Sequence, residues 1–296
     1  MKKAFLQLHI AVFFAGFTAI LGKLINLNEG ILVAYRMLLS AITLGVILFF
    51  RKQFVKISFA SLMSLFGIGA IISLHWVTFY GSIKYSNVSV SVTCLSAIGF
   101  FTAFFEPAIT NRKIDIAEVI LGLLAIMGIY LIFDFYPQYK TGIIFGILSA
   151  MFASLFPVFN KRMLKKFSPE NVTFYEMAGG FLSLCALVPF YLRFFPASYF
   201  IPTSSDWLWL LILSWICTVW SFILSLSALK YISPFTANLT YNLEPVYSIF
   251  LAFIIFKENK FLGHGFYAGF TLILIAIVLQ MKRVWNERKS GKSKPA

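Results

Sequence analysis

Ten long apolar segments constrain this chain more than any other feature. Each is close to the roughly 20 residues that an α-helix needs to cross the hydrocarbon of a bilayer. Only 12% of the residues are charged, whereas a soluble domain carries about 25%. The chain is therefore predicted to be an all-α polytopic membrane protein with ten transmembrane helices, at residues 4–24, 30–50, 58–82, 87–108, 115–135, 141–162, 170–193, 206–229, 234–256 and 262–281.

The basic residues predict how these helices are oriented. With the N-terminus in the cytoplasm, 18 lysines and arginines lie on the inner side, six on the outer side and one, Arg36, inside a span. Cytoplasmic loops carry an excess of basic residues, so both termini are predicted to be cytoplasmic, in the cytoplasmic (inner) membrane. The net charge of +14 is then a signal of topology, and no nucleic-acid partner is expected.

The chain also repeats itself weakly. Three short patterns recur in order, 138 to 146 residues later: Phe14-Ala15 as Phe152-Ala153, Tyr35-Arg36-Met37 as Tyr175-Glu176-Met177, and Lys84-Tyr85 as Lys230-Tyr231. Five helices per copy is an odd number, so the second copy enters the membrane from the opposite face. The predicted organisation is two inverted five-helix repeats, at 1–137 and 138–283, followed by a basic cytoplasmic tail at 284–296.

The ninth segment carries the strongest polar pattern. Thr236, Thr240 and Glu244 recur every four residues and therefore share one helix face. Glu244 lies about ten residues into the segment, which places it roughly 15 Å deep, near the midplane. An ionisable residue at that depth is by default a candidate functional residue, although it can also pin a neighbouring helix. Pro245 follows it and marks a point where the helix can break.

Several short motifs resemble those of a known family. They are His75-Trp76 in the third span, Glu106-Pro107 in the fourth, and Asn242-Leu243-Glu244-Pro245-Val246 in the ninth, followed by Lys257-Glu258. With the ten spans and the repeat, they make the whole chain resemble the EamA family of the drug/metabolite transporter superfamily. The resemblance implies that helices 1, 3, 4, 6, 8 and 9 surround a central cavity. Members move amino acids, nucleobases, vitamins and other small metabolites, often outward.

The function predicted from these features is secondary transport by alternating access. The expected activity is export of a small metabolite, such as an amino acid or a related compound. Import within the same family stays open, as does a role as a channel or a membrane-assembly protein. The chain has no catalytic constellation and is not expected to be an enzyme. Its three cysteines lie in apolar spans without ligand spacing, so neither a metal nor another cofactor is expected.

Partners follow from the same features. The expected partners are the small-molecule substrate and the lipid bilayer, and a coupling proton or another ion stays open. Gly265-x-x-x-Gly269 is a small-residue motif that favours close helix packing, so either a monomer or a weak homodimer is expected.

Two groups of residues are predicted to form the site. Arg36 and Glu176 carry opposite charges at equivalent repeat positions, but each lies roughly 9 Å deep from a different membrane face. Their charged groups are therefore predicted not to touch. His75 can also be a packing histidine rather than part of the site. The predicted substrate-binding residues are Glu244, Asn242, Thr240, Tyr241, His75, Trp76, Tyr80 and Trp220, and the predicted gating or structural residues are Arg36, Glu176, Glu106, Pro157 and Pro245.

Overall fold

The computed structural model describes residues 2–241 and 243–289, and within them the chain forms ten helical spans. The prediction of an all-α protein with ten helices is confirmed. The spans are α1 (Lys2–Leu24), α2 (Glu29–Phe50), α3 (Phe59–Tyr85), α4 (Val88–Thr110), α5 (Ile116–Phe135), α6 (Lys140–Met163), α7 (Pro169–Tyr191), α8 (Ser204–Leu229), α9 (Pro234–Tyr241 and Glu244–Ile255) and α10 (His264–Lys289).

Small polar residues begin many of these helices. Their side chains accept hydrogen bonds from the first free backbone N–H groups, which have no partner within the helix. Thr203 and Asp206 form a reciprocal capping box at the start of α8. The other side-chain caps are Asn28 of α2, Ser58 of α3, Asn87 of α4, Asp115 of α5 and Ser168 of α7. The helix starts are thus fixed by polar residues between the apolar segments.

The ninth span is broken in its middle. Nine of the described spans are long and apolar enough to cross a membrane as one helix, whereas α9 consists of a polar segment and the short apolar helix Glu244–Ile255. Pro245 lies in the first turn of that second helix, where its missing N–H group costs no hydrogen bond. The break predicted beside Pro245 is therefore present, and Glu244 is the first residue after it.

Helix packing occurs in pairs that are related by the repeat. Adding five to each helix number converts the α1–α8 contact into the α3–α6 contact, and the α1–α9 contact into the α4–α6 contact. The contacts of α2 with α7, α4 with α9 and α5 with α10 convert into themselves. Such a contact pattern is expected when two copies of a five-helix unit are related by a twofold axis. The helices of the two copies therefore interleave rather than forming separate bundles.

Two glycines bring α5 and α10 into backbone contact. A Cβ atom added at Gly128 would lie 2.6 Å from the carbonyl oxygen of Gly269, and one added at Gly269 would lie 2.4 Å from that of Gly128. Neither position has room for a side chain. The motif that suggested a weak homodimer therefore places Gly269 in a helix crossing within the chain.

The bundle has two ends, the terminus face and the far face. The terminus face is where α1 begins at Lys2 and α10 ends at Lys289, and the far face is the opposite end, where α1 ends at Leu24 and α10 begins at His264.

Candidate functional site

A cavity lies in the middle of the bundle, between the two copies. Its volume is about 80 Å³, which would hold roughly five to eight water molecules. Helices α1, α3, α4, α6, α8 and α9 line it, as the resemblance implied, but α2 also contributes. Its lining includes Thr18, Arg36, His75, Trp76, Phe79, Phe156, Pro157, Cys217, Ser221, Phe222, Ser225, Tyr241 and Glu244.

Arg36 of α2 is the cation of this cavity. Its side chain is 1% exposed, and its Nε and Nη1 atoms donate hydrogen bonds of 2.7 Å to Thr218 Oγ1 and to the Tyr80 hydroxyl. Nη2 lies 3.4 Å from the Cys217 carbonyl oxygen, and the guanidinium carbon lies 3.5 Å from the centre of the Trp76 ring. Three of the five guanidinium N–H groups thus have acceptors among the described residues, and the other two could bind a ligand.

A π-helical turn in α8 supplies the partners of Arg36. Residues Trp215–Trp220 form this turn between two α-helical parts of the span. Within it, Thr218 Oγ1 donates a 2.9 Å hydrogen bond to the Leu213 carbonyl and accepts one from Arg36. Such turns are rare and often occur at functional sites. No pattern in the sequence indicated this one, so Cys217 and Thr218 were missed.

Glu244 of α9 is the acidic residue of the cavity. It is buried and stands at the start of the second α9 helix, where the free N–H groups of the first turn favour a negative charge. Arg36 interacts with it electrostatically, but among the described ion pairs none joins the two side chains. The cavity therefore contains a guanidinium group and a carboxyl group that are not in direct contact.

Aromatic rings form part of the cavity wall. Trp76 packs edge-on against Phe222, with ring centres 5.6 Å apart, and Phe222 is stacked on Phe156 at 6.2 Å. His75 lies beside Phe156, and its Nδ1 atom is 2.8 Å from Ser149 Oγ of α6. His75 therefore lines the cavity and also bridges α3 and α6.

Three of the described residues predicted to bind substrate do not line the cavity. Tyr80 lies behind Arg36 as its hydrogen-bond partner, and Thr240 Oγ1 donates to the Thr236 carbonyl within α9. Trp220 was expected in the cavity wall, but its side chain is 61% exposed on the outside of the bundle, where it stacks on Phe14. Asn242 lies outside the described residues.

The predicted gating residues are dispersed. Arg36 and Pro157 line the cavity, although the resemblance had implied that α2 only flanks it. Glu106 is paired with Arg112 at the terminus face, at 2.9 Å. Glu176 is fully buried in α7 and, among the described ion pairs, forms none with Arg36, as its depth predicted. Pro245 is buried next to Glu244 without lining the cavity.

A buried carboxylate closes the far face. Glu258, between α9 and α10, is 2.6 Å from the ammonium group of Lys23 at the end of α1. The same carboxylate accepts three hydrogen bonds from the start of α4, donated by Val88 N, Ser89 N and Ser89 Oγ at 3.1, 2.9 and 2.7 Å. One side chain thus ties together the ends of three helices that line the cavity.

Further contacts across the far face join the two copies. Glu29 of α2 lies 3.8 Å from Lys84 of α3 and accepts a hydrogen bond from the Tyr191 hydroxyl of α7. Asp206 of α8 accepts from Asn26 N at 3.0 Å. Partial burial and a hydrogen bond donated to Asp206 raise the pKa of Tyr199, in the loop before α8, to about 12.

The terminus face is held differently near the cavity. Lys161 of α6 donates to the carbonyl oxygens of Leu229 and Ile232, at 2.7 and 2.8 Å, where α8 leads into α9. Lys161 is the repeat counterpart of Lys23, but its partners are neutral carbonyl groups rather than a carboxylate. The two ends of the cavity are therefore closed by contacts of different strength.

Comparisons with known proteins agree with this architecture. Residues 2–134 and 140–281 each match the EamA-like transporter family. A relative from Archaeoglobus fulgidus, named "Uncharacterized transporter", is 27% identical over 177 residues, and the match covers 60% of this chain and 60% of that protein. A solved crystal structure has the same fold, with a TM-score of 0.65 and 17% identity over 93% of this chain and 96% of that one. The two family matches cover most of the chain, five helices in each, and the chain therefore belongs to the EamA-like transporter family.

Proposed function

We propose that this transporter exports a small zwitterionic metabolite, such as an amino acid or a related compound, across the cytoplasmic membrane by alternating access. One observation carries the proposal: a basic residue, Arg36, and an acidic residue, Glu244, line the same buried cavity, and no described ion pair joins them. The α-carboxylate of such a substrate would accept hydrogen bonds from the two remaining N–H groups of Arg36. Its α-ammonium group would face Glu244.

The cavity wall supports an amphipathic substrate. Trp76, Phe156 and Phe222 present aromatic rings, whereas Ser221 and Ser225 add hydroxyl groups on the α8 side. A pocket that combines an apolar wall with a few placed polar groups is typical of small-molecule sites. We expect the side chain of the substrate to lie against the rings and its charged groups to lie between Arg36 and Glu244.

The different contacts at the two faces support entry of the substrate from the terminus face. The cavity lining continues through Leu226, Leu229 and Ala237 towards that face, whereas Glu258 and Lys23 close the far face. With cytoplasmic termini, the cavity would receive its substrate from the cytoplasm. Release of the substrate at the far face would require the contacts of Glu258 to break.

The proposal is tested by counterflow in proteoliposomes. Vesicles loaded with one unlabelled L-amino acid should take up the same labelled compound transiently, and the initial rate should saturate. A thermal-shift screen of the amino acids on the purified protein chooses the compound, because a ligand of the folded state raises its stability. Uptake that neither saturates nor shows counterflow would indicate a channel. Retention of the compound by cells that overproduce the protein would indicate import.

The orientation gives a separate prediction. Because the sequence predicts 18 basic residues on the cytoplasmic side and six on the outer side, reporter fusions after Met1 and Ala296 should be active only as cytoplasmic reporters. A reporter inserted at Gln138, between α5 and α6, should be active only outside. A C-terminus outside the cytoplasm would contradict the ten-span topology.

A further inference from the structure

Two neighbouring side chains in α6 and α7 contain four buried polar atoms with no partner. They are both carboxylate oxygens of Glu176 and both the oxygen and the nitrogen of the Asn160 amide, and none of them has a hydrogen bond of good distance and angle within the described structure. Both residues are fully buried, at 0% exposure, and the Asn160 side chain is within interaction range of the Glu176 carboxyl group. Unpartnered buried polar atoms are rare, so four of them in one place indicate a missing component.

The pair is separate from the central cavity. Neither Glu176 nor Asn160 lines it, and α3 crosses α7 at the level of the carboxylate without a side chain between them. A Cβ atom added at Gly69 of α3 would lie 2.1 Å from the Glu176 carbonyl oxygen and 2.7 Å from Gly180 N.

No described cation compensates a negative charge at Glu176. The charged and titratable groups on the surrounding helices have other partners. These are Arg36 of α2 with Tyr80 and Thr218, His75 of α3 with Ser149, Lys84 of α3 with Glu29, Lys161 of α6 with two carbonyl groups, Arg162 of α6 with the Ile109 carbonyl, and Glu106 of α4 with Arg112. A carboxylate left ionised in this position would be an uncompensated buried charge.

One proton would satisfy all four atoms. A neutral carboxylic acid has one O–H donor and a carbonyl acceptor, and a primary amide has N–H donors and a carbonyl acceptor. Placed side by side, they form a cyclic pair: the acid O–H donates to Asn160 Oδ1, and Asn160 Nδ2 donates to the other oxygen of Glu176. Without the proton, one Glu176 oxygen and Asn160 Oδ1 are both acceptors and face each other without a hydrogen bond.

We propose that Glu176 and Asn160 form a proton-binding site, in which a neutral carboxyl group of α7 is held by the side-chain amide of α6. The ligand is a single proton taken from water, and no other co-reactant is required. Loss of the proton would leave the carboxylate and the amide oxygen opposed and would weaken the link between α6, which lines the cavity, and α7. The site does not depend on which substrate the cavity binds.

Infrared spectroscopy of the purified protein in lipid tests the proposal. Near neutral pH the wild type should show the carbonyl band of a protonated carboxylic acid, and Glu176→Gln should lose it. Glu106→Gln, which removes an ion-paired carboxylate, is the matched control and should keep the band. Asn160→Leu should keep the acid but shift its band to higher frequency, because the carbonyl group loses its hydrogen bond.

Stability gives a second, independent readout. Folding would take up a proton that the unfolded chain has released at neutral pH, so raising the pH from about 6 to about 9 should destabilise the wild type. Glu176→Gln preserves the cyclic pair as two amides, so it should fold, and its melting temperature should fall less over the same range. An identical acid band in Glu176→Gln, an unshifted band in Asn160→Leu, or failure of Glu176→Gln to fold would each overturn the proposal.

Discussion

Replacing Glu244 with glutamine should reduce transport more than tenfold while the protein still folds. Glutamine keeps the shape of the side chain but removes the only acidic group among the described residues that line the cavity. Removing one partner of a buried charge interaction costs about 2 kcal/mol or more, which exceeds a tenfold change in binding. Arg36 keeps its hydrogen bonds to Thr218 and Tyr80 and its contact with Trp76, so we expect the fold to persist.

The measurement is the initial rate of counterflow for the compound that stabilises the wild type most. Glu106→Gln is a matched control, because it removes a carboxylate that is paired with Arg112 away from the cavity. Wild-type rates for Glu244→Gln at several pH values would remove Glu244 from the mechanism. Loss of folded protein, followed by size-exclusion chromatography, would show instead that Glu244 pins the broken α9 helix.

Replacing Glu258 with glutamine should open the far face. The carboxylate accepts four hydrogen bonds in total, from Lys23, Val88 N and two donors of Ser89. A glutamine amide offers one acceptor oxygen, and its NH₂ group would face donors. Hydrogen bonds to charged groups contribute about 1.5–3 kcal/mol each, so losing even one should raise the population with an open far face about tenfold or more.

Accessibility of a cysteine in the cavity measures this shift. In a background without Cys94, Cys185 and Cys217, Thr18→Cys places a thiol in the cavity wall. An impermeant thiol reagent added to whole cells should label it about tenfold faster when Glu258 is glutamine. Glu106→Gln, at the terminus face, should leave the rate unchanged. Equal labelling with and without Glu258→Gln would mean that the far-face contact does not limit access.

Much of the fold could be predicted from the sequence because the thickness of the bilayer sets a minimum length for every transmembrane helix. The ten apolar runs, the basic bias and the repeat patterns needed only spacing along the chain. Depth is also linear in sequence, so the placement of Glu244 near the middle and the separation of Arg36 from Glu176 followed directly. The break in α9 could be predicted because proline removes a specific N–H group.

The direction in which a side chain points could not be predicted in the same way. Trp220 was expected in the cavity and faces outward, whereas Phe156 and Phe222 line it, because aromatic residues suit lipid and a cavity wall equally well. Arg36 was assigned a gating or structural role from the resemblance, although its depth alone marked it as costly. The π turn around Thr218 shifts the register within α8, so a regular helical spacing cannot indicate which residues meet Arg36.

In the alternating access proposed above, the crossing of α5 and α10 would be a fixed reference. Gly128 and Gly269 touch through their backbones, so no flexible side chain lies between the helices to absorb a displacement. Neither helix lines the cavity. The α5–α10 contact is also one of those that the repeat converts into itself. Spin labels on the outer faces of α5 and α10 would therefore act as a ruler of constant length, against which the movements of the other eight helices can be measured.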